Sequence, residues 1–403
     1  MIKSLNKVIQ FLMFSQFILF SSCSSILLRA RNASSPSPIK LVDKNATPET
    51  QALANNLKQL SKNHTLFGHQ HATEYGHGWA GDNDQSDVKA VTGSHPAVIG
   101  VDIGGFTVGS PAAMEKAKTS VRKNIIDTYN RGGVSTIAWH FSNPMSGGGF
   151  YWKDSISIAA VQHMRPGGKA HDTYKNILRS VGEWANNTKG SDGKLVPMLF
   201  RPYHEFDGDW FWWGKAHTSR EDFIALWRFT VSYLRDSMNV HNFIYGFSPD
   251  NTFHTEGEFL ERYPGDEWVD LVGMDNYGDM GRYGIYKVDS AIHKLKIVSD
   301  YARRRNKLAA FTETGLESIP NPAWWNDVLL KVMKTPGMEL CYVLVWRNDQ
   351  TSATHYYAPF PGHSSVPGFL KYYNDPYTLF EKNLPPMYKV NTGSRSLNNA
   401  IRK

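Results

Sequence analysis

The chain has 403 residues, 41% of them hydrophobic, enough for a large core, and two cysteines, too few for a disulfide framework or a thiolate zinc cluster. Its net charge of +7 is dispersed. The densest basic run, Arg303–Arg305, ends a predicted helix, where cations complement the dipole, so nucleic acid is not an expected partner. The stronger bias is aromatic: twelve tryptophans supply the kind of flat face on which sugars stack.

In chain order, Lys3 and Lys7 precede a mostly apolar run from Val8 to Phe20, too short to span a bilayer and fitting a secretory leader. The small residues before Cys23 resemble a bacterial lipoprotein signal, in which Cys23 carries the lipid; a plain cleaved signal is the alternative. The expected protein is thus exported, either membrane-anchored as a lipoprotein (periplasmic or cell-surface) or secreted. The expected organisation is a leader over 1–23, a flexible linker over 24–44, one catalytic domain over 45–385 and a tail over 386–403. A monomer is expected.

Within the domain, eight apolar runs rich in β-branched and aromatic residues predict strands at 65–71, 97–103, 134–140, 196–205, 242–249, 270–278, 308–315 and 340–346. Helical-period stretches lie between most of them, at 112–130, 171–188, 219–237, 289–306 and 322–334. Eight strands alternating with helices predict a closed (β/α)8 TIM barrel, which commonly uses 250 residues or more as one domain. Cys341 reads as a small core residue of the last strand.

In nearly every run the apolar residues come first and the chemically active ones last. The ends are His69-Gln70-His71, Asp102, His140, His204-Glu205, Asp275 to Tyr277, Glu313 and Trp346-Arg347. Barrel active sites form at the C-terminal strand ends, so these residues are expected to share one mouth. Strand ends are generally polar, but that alone would favour Ser, Asn and Gly over His, Glu, Asp and Trp.

Glu205 and Glu313 end the fourth and seventh strands, on opposing sides of the mouth. Two facing carboxylates are the minimal machinery for cutting a glycosidic bond, one protonated and one ionised. Glu205 lies in "RPYHEFDGDWFWWG", where Trp210 and its neighbours would exclude water and keep its proton on. The bland alternative is a paired surface glutamate. Glu313 lies between two threonines, with Tyr277, Arg201 and Arg347 as candidate donors that would hold it ionised.

Two other stretches have competing readings. His69 and His71, on one strand face, with Glu74 following, could ligate a metal, or they could hydrogen-bond in the barrel top; the second is favoured, and no metal or cofactor is expected. "MSGGGFYW" (145–152) is glycine-rich but lacks the Lys-Ser/Thr of a phosphate loop, so Phe150, Tyr151 and Trp152 are read as sugar contacts.

"RPYHEFDGDWFWWG" followed by "TETG" resembles glycoside hydrolase family 26, the (β/α)8 retaining β-mannanases, over roughly residues 45 to 385. The resemblance implies Glu205 as acid/base and Glu313 as nucleophile. It places His140 beside the sugar preceding the cut bond, His204 beside the acid, Trp210 near the catalytic centre, and Asp275 with Tyr277 near the nucleophile. Trp346 would floor the cleft, with Arg347 next to it. Asp207 departs from the family pattern, which has Asn there, and the changed acid is expected to alter contacts to the incoming half of the substrate. The implied activity is retaining endo-β-1,4-mannanase action on mannan, galactomannan or glucomannan. Alternatives are the same chemistry on a β-glucan or xylan, a mannobiose-releasing exo-enzyme, a metal-dependent barrel hydrolase, and a non-catalytic polysaccharide-binding barrel.

Overall fold

A computed structural model of the chain describes residues 38–81, 84–155 and 157–390. The leader, Cys23, most of the linker and the end of the tail lie outside them. Eight parallel strands alternate with helices: β1 (Thr65–Gln70), β2 (Val98–Asp102), β3 (Val134–Trp139), β4 (Met198–Pro202), β5 (Phe243–Phe247), β6 (Leu271–Asp275), β7 (Leu308–Thr314) and β8 (Tyr342–Val345). Each pairs with the next, and β8 returns to β1 with Leu344 beside Gly68, closing the expected barrel. Nearly every strand residue is buried, because helices cover the outer face and side chains fill the inner one. The even apolarity of the sequence runs has this cause.

The crossover helices start where the sequence supplies caps. Ser110 accepts from the Ala113 N–H at 3.3 Å ahead of Pro111–Arg131, and Gly132 ends that helix in the left-handed region at φ 91°. Ser219 accepts from the Asp222 N–H at 3.1 Å ahead of Arg220–Ser232. Two helices differ from expectation. The one expected over 219–237 is α-helical only to Ser232 and widens into a π-turn over Tyr233–Ser237. The one expected over 322–334 is π-helical over Trp325–Leu330 before Lys331–Met333.

The N-terminal end of the barrel is plugged by the helix Pro48–Leu60. Its Leu53, Leu57 and Leu60 share one apolar cluster with Leu66, Val98, Ile244 and Leu344 from the strands. Each leucine so buried contributes about 1.5–3 kcal/mol. Cys341 belongs to the same cluster and is fully buried, as expected of a core residue. The folded body reaches a few residues past the expected 45–385. Ile39 and Leu41 are buried, the Val42 N–H donates to Asp270 at 2.6 Å, and Asp43 meets His241 at 2.7 Å. At the other end Met387 is buried and the Tyr388 hydroxyl donates to the Gly133 carbonyl. Among the described residues no helix is long and apolar enough to cross a membrane.

Candidate active site

β4 stops at Pro202, three residues before Glu205. Tyr203 and Glu205 both take left-handed backbone, at φ 51° and 52°, a conformation uncommon for residues with a Cβ. Neighbours hold this kink. The Glu205 N–H donates to the Ser248 carbonyl at 2.9 Å, and the Trp213 indole N–H donates to the His204 carbonyl at 2.8 Å. Such outliers persist where the surroundings over-determine them, typically at functional sites. Gly208 lets the segment fold back, since a Cβ there would lie 2.3 Å from the Trp210 ring. That close approach brings the Trp210 indole N–H to 2.8 Å from Glu205 Oε2.

The three tryptophans of this segment divide. Trp212 and Trp213 are fully buried in the shell around the barrel, while Trp210 and Phe211 line a cavity at the C-terminal mouth. The expected ring face is therefore narrower than the whole "WFWWG" run.

On the opposite wall, a bulge in the β6–β7 pairing sets Asp275 against Glu313. Bulges next to active sites re-aim side chains, and here Glu313 is turned into the mouth. Arg201, from β4, donates to Glu313 Oε1 and to Asp275 Oδ2, the latter at 2.7 Å. The Tyr277 hydroxyl donates to Glu313 Oε2 at 3.2 Å. The flanking threonines serve other partners: Thr312 donates to Asp275 at 2.6 Å and Thr314 to the Asn276 carbonyl at 2.8 Å.

The cavity encloses about 420 Å³ and contains both glutamates. That is ample for part of a sugar chain. Burial, then the nearby Asp250 and Glu313 carboxyls, hold the Glu205 carboxyl well above its ordinary range, outweighing the Trp210 hydrogen bond. The proton is thus favoured on Glu205, while each Glu313 oxygen faces a donor. A proton donor and an anchored carboxylate across one cleft can protonate a leaving oxygen and attack a carbon.

His140 lines the cavity and its Nδ1 lies 2.5 Å from Asp102 Oδ2. Burial opposes charge on Asp102, yet His140 and the Gly104 N–H hold that carboxyl below its ordinary range. His204 packs edge-on against His140 with ring centroids 4.7 Å apart. Burial, with Arg201 and His140 beside it, pushes the His204 imidazole far down, so it is neutral. Trp346 and Tyr277 also line the cavity.

Three expected substrate contacts do not line the cavity. Asp275 lies beside Glu313 as expected, but fully buried beneath the floor, where it anchors Arg201. Trp152 stacks on His217 at 3.7 Å, away from the cavity, because its neighbour Tyr151 takes the inward position. Arg347 pairs with Asp349 at 2.5 Å and lies over Tyr75, on the β1 flank, so it is not a donor to Glu313. Asp207 accepts from the Asp250 N–H at 2.6 Å and from the Thr252 hydroxyl, which ties the β5 loop to the β4 loop and occupies both its oxygens.

The sequence reading missed Asp250, Asn251, Arg282, Tyr283, His355 and Tyr357 in the lining. Asp250 and Asn251 follow β5 directly, and the rule that strand ends build the mouth would have found them. The others come from longer loops whose paths local sequence does not disclose.

The metal alternative loses its geometric basis. His71 lies beyond the end of β1 at φ 54°, so it does not share a strand face with His69, and it is hydrogen-bonded to Glu74. Among the described residues, one group of His, Asp and Glu could reach a common ion: His204, Asp275 and Glu313. Arg201 already joins its two carboxylates, and a metal would have to displace that guanidinium.

Facing carboxyl groups at the C-terminal mouth of a closed (β/α)8 barrel, among aromatic rings, define a glycoside hydrolase. Comparison with known proteins specifies the kind. The model of glycosyl hydrolase family 26 matches residues 42–367, and the chain belongs to that family. GH26C from a Muricauda species has 38% sequence identity and a TM-score of 0.82, covering 88% of this chain and 96% of that one. A GH26 β-mannanase from Bacteroides ovatus also has 38% identity, with a TM-score of 0.80 over 86% of this chain and 99% of that one. A mannan endo-1,4-beta-mannosidase from Bifidobacterium adolescentis is 36% identical over 303 residues, 73% of this chain; the match spans only 30% of that longer relative.

Proposed function

We propose that the protein hydrolyses internal β-1,4-mannosidic bonds of mannan, galactomannan or glucomannan with retention of configuration. Glu313 attacks the anomeric carbon while Glu205 gives its proton to the departing oxygen. Glu205 then takes a proton from the water that releases the glycosyl-enzyme. The observation that carries this is the asymmetry of the pair: burial and neighbouring carboxyls favour the proton on Glu205, while Arg201 and Tyr277 each donate to one Glu313 oxygen. Tyr277 and Arg201 position the nucleophile. Trp210 orients the acid. His140 and Trp346 face the sugar at the cut bond, and neutral His204 buttresses His140. The relatives named above support mannan as the substrate.

Reducing-sugar release from galactomannan, mixed-linkage β-glucan and xylan tests the assignment. Turnover is expected on galactomannan. Turnover on glucan or xylan alone would replace the substrate and keep the mechanism.

The leader supports export, with a lipid on Cys23 or release after cleavage. Radiolabelled palmitate incorporated into the wild type and lost in Cys23→Ser would support the anchor; no incorporation into either would leave release.

A further inference from the structure

Beyond β6 the chain makes a short hairpin that the mechanism above does not use. Met280 bridges Tyr286, and the Gly284 N–H closes a turn onto the Gly281 carbonyl at 2.9 Å. Gly281 and Gly284 take φ of 112° and 75°, conformations that residues with a Cβ rarely adopt. A Cβ on Gly281 would also strike the Tyr286 ring at 2.3 Å. The base of the hairpin is fixed. The Trp324 indole N–H donates to the Met280 carbonyl at 2.8 Å, and Asp279 is buried against Lys294 at 2.8 Å.

The two central residues of the turn are Arg282 and Tyr283, and both line the catalytic cavity. Tyr283 is 77% exposed, the most exposed of the large hydrophobic side chains among the described residues. It has no ring or hydrogen-bond contact there. The Arg282 guanidinium lies 5.2 Å from the Tyr277 ring centre and, among the described residues, has neither a carboxylate partner nor a hydrogen-bond acceptor. A rigid stalk thus holds a bare phenol ring and five unused N–H donors at the rim of a sugar cleft. Folding leaves most of both side chains unexplained: Tyr283 packs on no ring, and Arg282 has only the face of Tyr277. A pyranose unit has what both lack: an apolar C–H face for the ring and hydroxyl oxygens for the guanidinium.

We propose that the turn Gly281–Gly284 is a substrate-binding arm, in which Tyr283 stacks on, and Arg282 hydrogen-bonds, a sugar unit beyond the two that flank the cut bond. The inference rests on the glycan-hydrolase reading and adds a specific contact to it. The arm acts by binding, so it acts through KM and favours longer chains.

The test compares β-1,4-mannotetraose with mannohexaose. In Tyr283→Ala the ratio of kcat/KM between hexaose and tetraose falls by about tenfold, the loss of one stacking contact worth about 1.4 kcal/mol. The fall lies in KM for hexaose. Arg282→Ala acts in the same direction. In a Glu205→Gln background, calorimetry shows a matching loss of hexaose affinity when Tyr283→Ala is added. Thermal melting of each variant close to the wild type rules out loss of fold. A length ratio equal to the wild type, or kcat falling equally on both substrates, overturns the arm. If the wild type cleaves only cello- or xylo-oligosaccharides, the mannan assignment fails, and the same ratio on that series still decides the arm.

Discussion

Trp210→Phe keeps an aromatic ring and removes the pyrrole half of the indole, with the N–H that lies 2.8 Å from Glu205 Oε2. That bond favours the ionised carboxylate, so it opposes the upward push of burial, Asp250 and Glu313. Removing it raises the Glu205 pKa further. A hydrogen bond to a charged group contributes about 1.5–3 kcal/mol, which corresponds to roughly one to two pKa units. The lower figure applies, because Glu205 lines the cavity and the room left by the pyrrole half lets a water replace the lost donor. The acid must be protonated to work, so activity is lost as pH rises through its pKa. The alkaline limb of kcat/KM, which reports the free enzyme, therefore moves about one unit towards higher pH in Trp210→Phe. Asp250→Asn removes a repelling carboxyl and moves the same limb towards lower pH. Initial rates on a soluble mannooligosaccharide across the pH range measure both. A limb that stays put in both variants, or moves in the same direction in both, refutes the assignment of Glu205 as the acid.

Glu205→Gln lowers kcat on galactomannan by roughly 10²–10⁴-fold, the range for loss of a general acid, with the melting temperature little changed; near-wild-type turnover would revive the non-catalytic reading. Arg201→Ala strands the buried carboxylates of Asp275 and Glu313, and denaturant titration is expected to show a loss of about 3–5 kcal/mol; a loss below 1 kcal/mol would mean the pair is not held by Arg201. Trp213→Ala costs a similar 3–5 kcal/mol because that ring is fully buried, whereas Trp210→Ala leaves stability nearly intact and reduces activity. Dialysis against a chelator leaves the rate unchanged, since Arg201 occupies the space between the metal-capable carboxylates; a rate restored only by added metal would contradict this.

The barrel was legible because each strand is buried on both faces and so shows as an apolar run, and because its chemistry collects at the strand ends. Glu205 and Glu313 were legible for the same reason. The details around them were not. Trp152 and Tyr151 are adjacent in sequence, and which one turns inward depends on a bridge between Tyr151 and Phe211 that no local pattern specifies. Trp212 and Trp213 look like Trp210 in sequence, but the turn at Gly208 sends them into the shell. Asp207 looked like a substrate contact, while the β5 loop, 43 residues away in sequence, takes its oxygens. Arg282 and Tyr283 were missed because a hairpin within a loop has no periodicity to read. Arg347 follows Trp346 directly, yet turns towards Tyr75 and Asp349 once β8 has ended.

The central claim is a retaining attack by Glu313 assisted by Glu205. Proton NMR of the new reducing ends in the first minutes of mannan hydrolysis, before mutarotation, tests it most directly. The account predicts that the β-anomer forms first and the α-anomer grows in later. An α-anomer formed first would mean inversion and would contradict it.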